Sequence, residues 1–288
     1  MLNLNLPTDR DKLADLIAAD VEAFCETYYE QGHRNHLGAS EVGDPCWRKL
    51  WYGFRWVKLE RHSGRMMRLF NVGHSAEPRF VAYLRGIGFE VREFDENGKQ
   101  FRISGANGHY GGSLDGMCKA PARYELSEDL VLLLEMKTNA TGTKYSDVEK
   151  LGLAKAKPKH FSQMSQYAYK YGLKYGLYVI ENKNDSDITF QIVELDWNLG
   201  RQLEQKATDI VFSKGAPPRI SENPSMFDCK YCSYSGICHK NEPVEVNCRS
   251  CRHAEPVENA EWKCHRFGMN IPQDFIPKGC EHHVSVNS

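Results

Sequence analysis

Several features are missing from this chain of 288 residues, and each absence narrows what it can be. No run of about 18 apolar residues occurs, so no helix is expected to cross a membrane. The opening stretch, MLNLNLPTDRDKLADL, is too polar to read as an export signal, and the chain is expected to be cytoplasmic. The formal net charge of −1 leaves no global field to attract a polyanion, so any nucleic-acid binding must rest on a local patch. There is no internal repeat, no low-complexity segment and no G-x4-G-K-[ST] phosphate loop. What remains is a composition of 41% hydrophobic and 26% charged residues, which suits a soluble globular protein with one large domain, alone or with an appendage.

Cysteine is the residue in excess. Of ten, seven fall in the last 60 residues. With no export signal, disulfides are not expected, and clustered thiols with C-x2-C spacing point to a metal or an iron–sulfur cluster. Cys229-x2-Cys232-x5-Cys238 supplies three thiolates and needs a fourth, for which Cys46 is the candidate. Zinc and a 4Fe–4S cluster both accept four thiolates, and spacing does not choose between them. Cys248, Cys251, Cys264 and Cys280 form a second set, with His253, His265, His282 and His283 as alternative ligands. Cys25 and Cys118 fit neither set and read as buried thiols.

The stretch of greatest chemical content is 108–137. Asp115-Gly116 is followed by an apolar run, 130–134, that ends in Glu135-Met136-Lys137. A strand alternates its side chains, so Glu135 and Lys137 share one face and Met136 takes the other. Two carboxylates can hold a divalent cation and a lysine beside them can orient water, which suffices for phosphodiester cleavage. Each element alone has an ordinary reading, a turn for Asp-Gly and a solvated strand edge for E-x-K.

Periodicity predicts helices over 9–30 (capped by Thr8 or Asp9), 46–56, 73–85, 160–171 and 197–212. It predicts strands over 89–94, 100–104, 175–181 and 188–196, and a polar loop or short helix over 139–159 carrying Lys144, Lys150, Lys155, Lys157 and Lys159. The lysines read either as a solvated loop or as a grip on a nucleic-acid backbone. His74 and Glu77 share a helix face, as do Gln163 and Tyr167. Aromatics of the 46–56 stretch are expected to pack it against the core. The order of elements fits a central mixed sheet flanked by helices.

The ordered set His74, Asp115, Glu135-x-Lys137 and Gln163-x3-Tyr167 resembles the RecB-like branch of the PD-(D/E)XK nuclease superfamily, over roughly residues 40–240. The CWRKLWYG helix, with one cysteine before the motifs and three after, resembles its iron–sulfur members, the AddB-type and CRISPR-associated exonucleases. Leu114 rather than proline precedes Asp115. The resemblance implies an α/β restriction-endonuclease-like core over 1–240, closed by a 4Fe–4S cluster on Cys46, Cys229, Cys232 and Cys238. It implies Mg²⁺ or Mn²⁺ on His74, Asp115, Glu135 and the Met136 carbonyl. Lys137 would position water, and Gln163 and Tyr167 would place DNA and the lysine. The 241–288 segment is expected to be a small appendage stapled by Zn²⁺, or by a second iron–sulfur cluster, on its four cysteines.

The function so implied is a metal-dependent DNA nuclease, an exonuclease on ends or single strands in recombination, repair or phage DNA metabolism, with a recombination or replication protein as partner and no membrane. The alternatives are an endonuclease or CRISPR-adaptation nuclease using the same site, or a non-catalytic nucleic-acid-binding assembly module.

Overall fold

The structure, a computed structural model, describes residues 3–29, 31–139 and 142–287, without the side chains of 142–146. In chain order its helices are α1 (Pro7–Tyr28), α2 (Ala39–Val42), α3 (Trp47–Phe54), α4 (Gly64–Gly86), α5 (Gly142–Leu151), α6 (Leu153–Ala156), α7 (Pro158–Tyr171), α8 (Trp197–Val211), α9 (Phe227–Lys230) and α10 (Ser235–Lys240). Its strands are β1 (Leu37–Gly38), β2 (Glu90–Arg92), β3 (Arg102–Gly105), β4 (Tyr110–Ser113), β5 (Gly116–Lys119), β6 (Leu132–Asn139), β7 (Tyr175–Asn182), β8 (Ile188–Glu194), β9 (Ala254–Pro256), β10 (Trp262–Cys264) and β11 (Met269–Asn270).

The organising element is a five-stranded mixed sheet, β2-β5-β6-β7-β8, in which only β6 and β7 are parallel. The alternation of β6 sorts its residues between two cores. Leu132, Leu134 and Met136 pack on one face against Ala76, Phe80, Val81 and Leu84 of α4. Leu133 faces the other way, with Tyr178 and Ile180 of β7 and with Met164, Tyr167 and Ala168 of α7. Helices therefore cover both faces, as expected for a mixed α/β sheet.

Three expectations need correction in detail. The strand expected near 100–104 does not join the central sheet. It pairs with β4, which has no hydrophobic run to announce it, and with β1 behind β4 forms a separate three-stranded sheet. The helix expected from Gly73 begins nine residues earlier, capped by the Ser63 hydroxyl, which accepts from the Met66 N–H. Its first turns leave Leu69, Phe70 and Val72 exposed, so no apolar stripe marks them. α1 starts on Pro7 with no side-chain cap, because proline at the first position already supplies a helical φ. Of the two readings of 139–159, loop or short helix, the described residues show the helical one, as α5 and α6.

The C-terminal segment carries a third small sheet, β9-β10-β11. Its Ala254, Trp262 and Ile276 belong to the same hydrophobic cluster as Trp51, Tyr52, Phe54 and Trp56, so it is seated on α3. The Asn247 amide donates to the Trp56 carbonyl at 2.9 Å, and the Glu245 N–H to the Val57 carbonyl at 2.8 Å. Those four aromatics are buried as expected, while Trp47 is 39% exposed.

Candidate active site

β5 and β6 run together from Cys118↔Leu132 to Gly116↔Leu134 and then part, while β6 continues beside β7. Asp115 takes over the ladder where β5 ends: its Oδ2 accepts from the Met136 N–H at 2.7 Å. Gly116 is required at the turn, because a Cβ there would stand 2.8 Å from the Arg92 carbonyl oxygen. The fork thus places Asp115 beside Glu135 and Lys137, twenty residues along the chain.

Glu135 is wholly buried and pairs with the Lys137 ammonium. Neither of its oxygens accepts a hydrogen bond of ordinary geometry among the described residues. Lys137 Nζ also lies 3.6 Å from Asp115 Oδ2 and donates to the Met136 carbonyl at 3.1 Å. Burial pushes the Glu135 carboxyl up; the Lys137 charge opposes this and Asp115 adds to it. Burial would lower Lys137, but the Glu135 and Asp115 charges outweigh it and hold the ammonium protonated.

Glu77 reaches this group from α4, and its carboxyl is raised by its own burial and by the Asp115 charge. It was not assigned to the site from the sequence. The signal available was the helix face it shares with His74, but spacing does not tell which of the two turns inward. His74 is the outer one: its side chain is 77% exposed, with Nδ1 3.7 Å from Glu77 Oε1 at the groove rim. Pro78 cannot donate to the His74 carbonyl as a helix interior requires, so α4 runs on through this point with one hydrogen bond missing. An open groove of about 600 Å³ runs past the site, lined by Tyr29, Phe70, His74, Glu77, Lys137 and Lys183 among others.

Gln163 and Tyr167 descend from α7 onto the same centre. The Gln163 amide donates to the Tyr167 hydroxyl at 3.2 Å, and burial raises the phenol while the Glu135 charge adds to that rise. A second pair lies nearby: His160 Nδ1 and the Tyr178 hydroxyl are 2.8 Å apart, and burial together with Lys137 and Lys157 pushes His160 down to about 3. Of the lysine-rich segment, Lys150 and Lys155 are exposed, Lys159 binds Asp44 at 2.8 Å, and the side chain of Lys144 lies outside the described residues.

Three carboxylates, Glu77, Asp115 and Glu135, thus face one fixed ammonium. Clustered, partly buried carboxylates are costly unless cations offset them, and one ammonium leaves this group with more negative than positive charge. Hard oxygen donors of this kind suit Mg²⁺ or Mn²⁺. Among the described residues, no three His, Cys, Asp or Glu side chains stand together at metal-holding distances.

Cys46, Cys229, Cys232 and Cys238 line one cavity with Asp44, Arg48, Lys49, Lys159 and Arg219. Cys46 caps α3, its sulfur accepting from the Lys49 N–H at 3.4 Å. Asp44 accepts from the Cys46 N–H, Lys49 and Lys159; burial would raise its carboxyl, but these bonds lower it to about 2. Cationic walls suit a site of anionic thiolates. In the tail, Cys248, Cys264 and Cys280 line a second, apolar cavity. Burial pushes Cys248 up to about 11, with the neighbouring Cys280, Cys251 and Cys264 adding to it. Cys25 and Cys118 are buried and apart from both sets.

No protein-family model and no curated protein matches this chain. Among solved structures it is similar to an alkaline exonuclease (LHK-Exo) from Laribacter hongkongensis, with 19% identity, a TM-score of 0.44, and coverage of 62% of this chain and 87% of that one. LHK-Exo in complex with dAMP gives 19% identity and a TM-score of 0.41, over 61% of this chain and 86% of that one. SSO0001 gives 15% identity and a TM-score of 0.42, over 77% of this chain and 96% of that one.

Proposed function

We propose that this protein is a divalent-metal-dependent DNA nuclease that hydrolyses phosphodiester bonds, acting as an exonuclease on DNA ends or single strands in recombination, repair or phage DNA metabolism. One observation carries the reading: Glu135 is wholly buried and paired with Lys137 at a strand fork beside Asp115, with Glu77 reaching the group from α4. Asp115, Glu135 and the Met136 carbonyl would hold Mg²⁺ or Mn²⁺, with Glu77 as a further oxygen donor and His74 at the rim. Bound there, the ion would acidify a water and polarise a phosphoryl oxygen.

In the reaction, water adds to phosphorus, the bond to one sugar oxygen breaks, and that oxygen leaves with a proton. Lys137 stays charged beside the carboxylates, so it can orient the water and offset charge developing on the phosphate. Gln163 and Tyr167 brace the buried side of the site. The groove past Tyr29, Phe70 and Lys183 offers aromatic and cationic contacts to a strand. Cys46, Cys229, Cys232 and Cys238 would carry a 4Fe–4S cluster that ties α3 to the segment after α8; their shared cavity with cationic walls supports this reading.

The test is cleavage of end-labelled single- and double-stranded DNA with Mg²⁺ or Mn²⁺ by anaerobically purified wild type, Glu135→Gln and Lys137→Ala. Cutting should require the metal and fall by roughly 100-fold or more in each variant. DNA binding without cutting by wild type would overturn the assignment.

A further inference from the structure

Two arginines lie inside the molecule, and among the described residues no carboxylate forms an ion pair with either. Arg55, on α3's C-terminal flank, is 5% exposed, and Arg249, in the tail, is 1% exposed. Arg55 donates to the Ala254 and Cys251 carbonyls at 3.0 and 2.7 Å, and Arg249 donates to the Asn35 carbonyl at 3.0 Å. The Arg249 guanidinium lies among the rings of Phe54, Trp56 and Trp262, 4.4–4.7 Å from their centroids. Arg55 Nε and Arg249 Nε and Nη2 have no hydrogen-bond partner among the described residues. Aromatic faces offset part of the cost of burying a cation. They do not cancel the charge of a second buried guanidinium, and Arg55 is close enough to act on Arg249.

The thiols of the tail are placed to supply the missing negative charge. Arg249 sits inside the Cys248-Arg249-Ser250-Cys251 turn, where the Cys251 N–H donates to the Cys248 carbonyl at 3.1 Å. Cys251 is the group whose charge favours protonated Arg55. β10 brings Cys264 to this turn and the segment after Ile276 brings Cys280, with Cys248, Cys264 and Cys280 around one cavity. A divalent cation bound by four thiolates carries two net negative charges, matching the two guanidiniums.

We propose that Cys248, Cys251, Cys264 and Cys280 bind one thiophilic divalent cation of the zinc class, and that Arg55 and Arg249 neutralise this tetrathiolate, so that the metal locks the tail onto α3. The small β9-β10-β11 sheet gains its staple, and the buried arginines gain their counter-charge. This holds whether or not the fork cleaves DNA.

The full-length protein, purified without added metal, should contain one tightly held zinc. It should stay in Cys229→Ser/Cys232→Ser and be lost in Cys264→Ser/Cys280→Ser. Cobalt added to zinc-stripped wild type should give the absorption bands of tetrahedral thiolate ligation, which decides the matter even if the tail variant fails to fold. Arg55→Met and Arg249→Met should each weaken zinc binding by about tenfold or more in chelator competition, with Arg249→Lys closer to wild type. Wild type without zinc or cobalt bands, zinc retained in the tail variant, iron–sulfur absorption from the tail, or unchanged affinity in both methionine variants would each overturn the proposal.

Discussion

His109 offers a quantitative test of how the tail is held. It precedes β4 and is wholly buried, with the rings of Phe54 and Trp262 edge-on at 5.7 and 5.6 Å. Its Nε2–H donates to the Val257 carbonyl of the tail at 2.8 Å. Burial pushes its pKa from 6.5 down to about 4; the Val257 and Glu261 backbones pull it up and Arg249 pushes it further down. At about 1.4 kcal/mol per pH unit, that difference is worth about 3 kcal/mol. The folded protein binds this proton less readily than the unfolded chain. The stability it contributes is therefore complete above pH 6.5, drains as pH falls towards about 4, and falls no further below that. Typical domains have only about 5–15 kcal/mol in all, so the loss is large. The perturbation is His109→Gln, whose amide can still donate to Val257 but does not titrate. Urea unfolding of both proteins at steps from about pH 7.5 to about pH 4 gives the assay. Acid also protonates thiols, but it does so in both proteins, so the measured quantity is the difference between their pH slopes. Wild type should lose about 3 kcal/mol more than the variant. Parallel slopes would refute the reasoning.

Two further outcomes follow from the site. Mg²⁺ at about 100 times its dissociation constant should stabilise wild type by about 2.7 kcal/mol and Glu135→Gln by far less, and equal thermal shifts would count against the fork as its site. Gly112→Ala would place a Cβ 2.6 Å from the Tyr167 hydroxyl and 2.9 Å from the Ala39 Cβ. It should cost about 1–3 kcal/mol in urea unfolding and reduce cutting by displacing Tyr167, so a stable, active variant contradicts the packing described here.

Legibility followed the range of the interaction. The alternation of 132–136 was readable because a strand's side chains have a period of two, and it sorts Leu133 and Leu134 into different cores. The Gln163–Tyr167 pair was readable because residues four apart on a helix meet. β4 was not readable: Tyr110-Gly111-Gly112-Ser113 has no strand composition, and Gly112 is there because Tyr167 crosses it closely. Glu77 escaped because burial from another element, not helical spacing, separates it from exposed His74.

By itself the sequence determined what local geometry dictates: the Glu135/Lys137 face, the Cys248-x2-Cys251 turn, the amphipathic helices and the absence of a membrane-length apolar run. Only the tertiary structure decided where β5 leaves β6, and with it the approach of Asp115 to Met136 and Lys137. It alone brought Cys46 to the cavity of Cys229, Cys232 and Cys238, and seated Arg249 among Phe54, Trp56 and Trp262. Such juxtapositions join residues tens to hundreds of positions apart. They depend on how whole faces are buried against one another, which no period in the chain encodes.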